Sequence, residues 1–113
     1  MRITVASEGL EVSPQFGHCS NFTCYKIRCG VIVECQNMPN PHVPAVRLAS
    51  MLRDVDVSVL IAGSIERDAA DAMRAAGIDV VTGTAGTARN AVEAYLARTL
   101  IGCDEEDLGV LEA

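Results

Sequence analysis

Val57-Ser58-Val59-Leu60-Ile61-Ala62 is the stretch that most narrows the choice of fold. Five of its six residues are apolar and three are β-branched aliphatics. A run of that kind suits a strand covered on both faces, as in a parallel sheet flanked by helices. Gly63-Ser64 follows, and helical periodicity begins at once. Gly63 is expected to allow a tight turn, and Ser64 to cap the helix. Open α/β sheets hold ligands at the carboxyl ends of such strands. A site in this chain is therefore expected near Gly63, built with whichever other loops reach it.

The segments before this strand read differently. Arg2 to Ser7 is a short strand, and Glu8 to Glu11 a turn. Residues 12–19 contain Pro14 and Gly17 and read as a loop. Phe22 to Arg28 and Val31 to Asn37 form an antiparallel hairpin about Cys29-Gly30. Met38 to Pro44 holds prolines at 39, 41 and 44, which argues against regular structure. A first helix begins at Pro44, with Ala45, Leu48, Ala49 and Leu52 on its apolar face. A second runs from Ile65 to Ala76 and stops at Gly77. Ile78 to Val81 is a last strand. Thr82 to Gly86 is a glycine loop, Thr87 an N-cap, and a third helix buries Ala88, Ala91, Val92, Tyr95 and Leu96. The order β-β-β-α-β-α-β-α predicts an α/β domain whose later half has right-handed parallel crossovers.

The chain's 113 residues suit one domain with a core of its own. Half are hydrophobic, which excludes disorder as the default. No apolar run approaches the ~20 residues of a membrane helix. The opening residues show no signal-peptide pattern, so a cytoplasmic protein is expected. Net charge is −6, and five acids fall in residues 99–113 without a balancing base. The body 1–98 is thus nearly neutral, and 99–113 reads as an acidic, mobile tail. Without a basic patch, neither nucleic acid nor an anionic membrane is expected as a partner. Five cysteines, an odd number, argue against a disulfide framework. The spacing of Cys19, Cys24 and Cys29 fits none of the common zinc or ferredoxin patterns.

The loops carry the candidate chemistry. His18-Cys19 pairs two soft ligands in a glycine-containing loop, and His42 sits in a proline-stiffened one. Imidazole and thiolate suit zinc, copper, iron and iron–sulfur clusters. Each has a plainer reading: a solvated histidine, or a cysteine serving as a small buried hydrophobe. The core reading is preferred for Cys24 and Cys35, inside strands. Cys29 at the hairpin turn reads as incidental, and Cys103 in the tail as a weak candidate. The loop Thr82 to Thr87 stands where an anion could meet a helix N-terminus, but it has neither the P-loop lysine nor Gly-x-Gly-x-x-Gly. No Gly-x-Ser-x-Gly is present, and neither histidine has an evident triad partner, so no catalysis is expected.

Several segments together are familiar. They are Val12-Ser13-Pro14-Gln15-Phe16-Gly17, Phe22 and Tyr25, Asn40-Pro41-His42, Val59 to Ile65, Ala75-Ala76-Gly77-Ile78, Gly86-Thr87-Ala88 and Ala94-Tyr95-Leu96. In this order and spacing the chain resembles the nitrogenase iron–molybdenum cofactor biosynthesis family over about residues 1–98. That family includes NifX-like carriers, nitrogenase-binding accessory proteins, the C-terminal domain of NifB and the small orange-protein relatives. The resemblance implies a ribonuclease-H-like three-layer α/β/α fold with a five-stranded mixed sheet. It implies a NifX-like domain at 1–98 that binds and delivers an iron–sulfur or molybdenum-containing cluster without catalysis. Cluster donor and acceptor proteins would be its partners. His42 carries over as a cluster ligand from the Asn-Pro-His match, and Phe16 and Gly17 as part of the same site. Family members commonly have a histidine before Phe-Gly and Arg-Ala after it. Here Gln15 precedes and His18-Cys19 follows. Either His18 and Cys19 substitute as ligands, or the site takes a different cluster.

The expected site therefore has His42, Cys19 and His18 as metal ligands, around Phe16, Gly17, Gly63, Ser64 and Gly86. Two other readings stand beside it. One is a small-molecule or anion-binding regulatory module on the glycine loops. The other is a ligand-free protein-interaction domain using the tail.

Overall fold

In the computed structural model, which describes residues 1–99, a six-stranded mixed sheet lies between two layers of helix. Residues 100–113, with most of the expected acidic tail and Cys103, lie outside the described residues. The central strand is β1 (Arg2–Glu8). It pairs antiparallel with β3 (Asn21–Arg28) and parallel with β5 (Val57–Ile61). β3 continues antiparallel to β4 (Val31–Pro39), and β5 parallel to β6 (Asp79–Val81). The sheet order is β4-β3-β1-β5-β6.

Five strands make that path, and a sixth corrects the expected count. β2 (Glu11–Val12) folds back antiparallel on β1, with Glu8 opposite Glu11. The turn read at Glu8 to Glu11 is thus a hairpin. Gly9 has φ +64° at its first central position, where tight hairpin turns favour glycine.

The alternation of β1 and β5 fixes the layers. Ile3, Val5, Val59 and Ile61 face one side with Val92, Tyr95 and Leu96 of α3 (Ala88–Thr99). Ala6 and Leu60 face the other with Leu48 and Leu52 of α1 (Ala45–Asp54) and Met73 of α2 (Arg67–Ala75). The apolar run at 57–61 is therefore covered on both faces, as its composition predicts. Each large aliphatic buried this way contributes about 1.5–3 kcal/mol relative to exposure. α2 ends as expected at Gly77, φ +84°. Gly77 N–H donates to Arg74 O and Ile78 N–H to Met73 O, at 2.9 and 3.0 Å. That pair of bonds satisfies two terminal carbonyls, and Ile78 joins the cluster that holds Met73. No helix among the described residues is long and apolar enough to cross a membrane.

The outer hairpin departs from expectation in two ways. Cys29 and Gly30 have φ of +51° and +75°, the primed geometry that lets a two-residue turn follow strand twist. β4 then runs on through Met38 and Pro39, which the prolines had argued against. Asn40 N–H points inward to Ser20 O at 3.1 Å. Pro39, one residue earlier, directs its proton-free nitrogen to the open edge, where no ladder bond is lost. Cys35 is exposed rather than in the core, because β4 is an edge strand that the helices scarcely cover. Cys24 is buried as expected, 2.9 Å from Thr4 Oγ1.

A buried amide ties the first hairpin to β3. Asn21 Oδ1 accepts from Gly9 N–H at 2.9 Å, and Nδ2 donates to Gly9 O and Ser7 Oγ at 3.1 and 3.2 Å. Ser7 Oγ also lies 2.8 Å from Thr23 Oγ1. Asn21→Ala strands these groups and is expected to cost about 1–3 kcal/mol in urea unfolding. An effect below 0.5 kcal/mol, about that of an ordinary surface change, would show that water replaces the amide.

Candidate functional site

Strands β1, β4, β5 and β6 run the same way, so their carboxyl ends share one edge of the sheet. The segments after β4, β5 and β6 emerge there, and the 13–20 loop enters β3 from the same end. The topology thus brings the candidate loops to one edge of the sheet, with the 13–20 and 82–87 loops meeting at Gly63.

Backbone contact draws them together. Ser13 N–H donates to Ala6 O at 2.8 Å, and Gly63 N–H to Ser13 O at 3.0 Å. Gly83 N–H donates to Gly63 O at 2.9 Å, and Val12 N–H to Gly86 O at 2.8 Å. A Cβ on Gly63 would stand 2.7 Å from Ser13 O and 2.8 Å from Pro14 Cα. Gly63 is therefore needed for close approach of a crossing chain, not for a left-handed turn, and its φ is not positive. Ser64 is not the helix cap. α2 begins at Arg67 with Glu66 in the N-cap position, and Ile65 precedes the helix. Ser64 Oγ donates instead to Pro14 O at 2.7 Å, while Ser64 O accepts from Phe16 N–H at 2.8 Å. Two bonds to the crossing loop hold Ser64 outside helical geometry. Thr87 does cap α3, its Oγ1 accepting from Asn90 N–H at 3.2 Å. The bonds at Gly83 and Gly86 join the glycine loop to its neighbours.

Between the crossing loop and the start of α2 lies an open cleft of about 280 Å³. Gln15, Phe16, Gly17 and His18 line one side, and Ser64, Ile65 and Glu66 the other. Phe16 is the root of its side, 7% exposed, with its ring centroid 5.9 Å from that of Phe22. Phe16–His18 forms a single 3-10 turn that leaves Gly17 and His18 exposed.

Cys19 turns the other way and is 1% exposed. Burial pushes its thiol from the usual 9.0 up to about 11, with hydrogen bonds from the backbone and Asn40 opposing the shift in part. At neutral pH it is a thiol, whereas metals bind the thiolate. Asn40 links this residue to the next loop. Its Nδ2 donates to Cys19 O at 2.9 Å and reaches Cys19 Sγ at 3.5 Å, and its Oδ1 accepts from His42 N–H at 2.9 Å. His42 is exposed, with φ +54°, and does not line the cleft.

The predicted residues thus divide. Phe16, Gly17, His18 and Ser64 share the cleft. Gly63 and Gly86 pack the backbone beneath it. Cys19 is an inner wall, and His42 stands on the adjoining loop. Among the described residues, no three of His, Cys, Asp and Glu gather as a metal-ion site. Gln15, Ile65, Glu66 and Asn40 were not singled out as site residues. Only Asn40 had a local signal: an Asn two residues before an amide that it can accept, the pattern of an Asx turn.

Two measurements check this geometry. Gly63→Ala is expected to lose about 1–3 kcal/mol in denaturant unfolding, because backbone must move to admit the Cβ. Gly17→Ala, with no atom within 4 Å of the new carbon, should change stability little. For Cys19 the folded state holds its proton more tightly than the unfolded chain. Its contribution is complete below pH 9 and lost as pH rises to about 11. The melting temperature should fall across that window, and fall less in Cys19→Ala. Equal slopes would place the thiol in water.

A search of curated proteins returned no match. Solved structures do match. The protein PH0822 is 23% identical with TM-score 0.79, covering 87% of this chain and 90% of that one. The apo form of the orange protein from Desulfovibrio gigas is 27% identical with TM-score 0.71, covering 86% and 88%. A Thermotoga protein described as a NifB candidate of the DUF35 family is 25% identical with TM-score 0.67, covering 83% and 85%. The sequence profile of the family described as "Dinitrogenase iron-molybdenum cofactor" matches residues 1–98. With most of its length under that profile, this chain belongs to the dinitrogenase iron–molybdenum cofactor family.

Proposed function

We propose that the protein is a non-catalytic carrier that takes up an iron–sulfur or molybdenum-containing cluster as cargo and passes it on. Its partners would be a donor and an acceptor protein in the cytoplasm. The three-layer arrangement is read as the ribonuclease-H-like fold that the family resemblance implies. The observation that carries this reading is the open cleft at the carboxyl ends of the parallel strands. It has one exposed imidazole, His18, on its rim and a second, His42, on the adjoining loop.

The donor set supports a cluster over a bare ion. A structural zinc ion takes four protein ligands, and a catalytic one three. Metals within a cluster already carry sulfide ligands, so docking one asks fewer protein donors per metal than a bare ion does. Open placement also lets a partner reach the cargo. The non-catalytic part of the reading is supported by Ser64, whose hydroxyl proton goes to Pro14 O rather than to a histidine.

The test is anaerobic incubation of the purified chain with iron and sulfide, and separately with tetrathiomolybdate with and without copper. Visible absorbance and bound metal are read after desalting. One of these species should be retained stoichiometrically, and His42→Ala or His18→Ala should weaken retention by about tenfold or more. Cys19→Ala should matter less, since its thiol stays protonated in the core. No retained metal under any condition, or colour indifferent to both histidine substitutions, overturns the reading.

A further inference from the structure

We propose that Asn40 is the positioning residue of this site: one side-chain amide grips Cys19 and His42 together and fixes how the loop after β4 presents His42. The inference rests on His42 being a cluster ligand.

The sequence makes that loop stiff but does not by itself set its end. Pro39, Pro41 and Pro44 restrict φ at three positions, and each residue before a proline is pushed towards extended backbone. His42 escapes both restrictions. It takes φ +54°, a left-handed conformation rarely adopted by a residue with a Cβ unless its surroundings hold it there. Asn40 supplies that hold. Its backbone N–H is anchored on Ser20 O at 3.1 Å, so the residue is fixed to the start of β3. Its Oδ1 accepts from His42 N–H at 2.9 Å, closing an Asx turn over Pro41, which has no N–H to compete. Its Nδ2 donates to Cys19 O at 2.9 Å, with Cys19 Sγ at 3.5 Å.

The orientation of the amide is forced. His42 N–H is a donor and must meet oxygen, and Cys19 O is an acceptor and must meet nitrogen. Aspartate satisfies the first demand but not the second, and an apolar residue satisfies neither. The same amide therefore couples the loop bearing His18 and Cys19 to the loop bearing His42. A candidate ligand that stands outside the cleft is held in fixed relation to the residues that line it.

The test separates geometry from binding. In the 15N-labelled full chain without cargo, Asn40→Ala should speed exchange of the His42 amide about tenfold, roughly the worth of one net hydrogen bond. Asn40→Asp keeps an oxygen acceptor and should leave that amide protected. Tetrathiomolybdate titration of the same chains reads the consequence. Asn40→Ala should weaken binding about tenfold when His42 is present, and no further in a His42→Ala background. A general loosening of the fold would weaken both backgrounds equally, which overturns the positioning role. An unchanged His42 amide in Asn40→Ala overturns it as well. A His42→Ala chain that binds as tightly as the native one is a different failure: it removes His42 from the ligand set, while the amide data still decide the geometry.

Discussion

Three backbone segments meet at Gly63 with no room for a side chain, and the arrangement of the site follows from that contact. Ser13-Pro14 crosses directly over the end of β5, bonded to β1 below through Ala6 O and to Gly63 beside it. The crossing fixes where Gln15 to His18 begin. It also occupies the hydroxyl and the carbonyl of Ser64, which keeps α2 from starting before Arg67. The cleft exists because the loop is held down at Pro14 and rises again at Gly17, while the helix starts late on the other side. A larger residue at 63 would lift the crossing chain and disturb both walls at once.

The sheet's centre and its edge solve different problems. β1 and β5 bury both faces, so each residue is decided by packing, and substitutions there act through cavities. β4 is covered little and carries two features that blunt an open edge. One is Pro39, whose missing proton faces outward. The other is the register shift opposite Lys26 and Ile27. Because β4 is the edge strand, it delivers the 40–43 loop at the rim of the sheet rather than into its interior. The position of His42 is set by that strand's length, and its conformation by Asn40.

Local chemistry and period made most of the fold legible. The two-sided run at 57–61, the face of α3 and the Gly77 stop all lie within one element and need no knowledge of the rest. The errors share a cause of the opposite kind. Ser64 looks like a cap until a loop fifty residues earlier in the chain claims its hydroxyl. Gly63 looks like a turn glycine until the crossing chain is seen. Cys35 looks buried because alternation within a strand says nothing about whether the sheet continues beyond it. The two-residue β2 is too short to have a period at all. At the site, the family resemblance placed His42, and the residue types suggested His18 and Cys19. Only folding could show that adjacent His18 and Cys19 point to opposite environments.

That divergence bears on how a carrier could release what it holds. A thiolate bound to a metal is a strong, soft ligand, and three or four of them would make a closed cage. Here Cys19, the cysteine beside the cleft among the described residues, is kept protonated by burial, which outweighs the opposing contact from Asn40, so the thiol is costly to recruit. On the carrier reading the exposed donors are imidazoles, which lack a thiolate's charge and exchange more readily with a partner's ligands. For the proposed carrier, Cys19 held inside with His18 and His42 outside would favour transfer over retention. A site built for retention would invert the arrangement, bringing the thiol out and enclosing the histidines. The Asn40 amide opposes that inversion, since turning Cys19 outward gives up the Sγ contact of the amide whose oxygen holds His42.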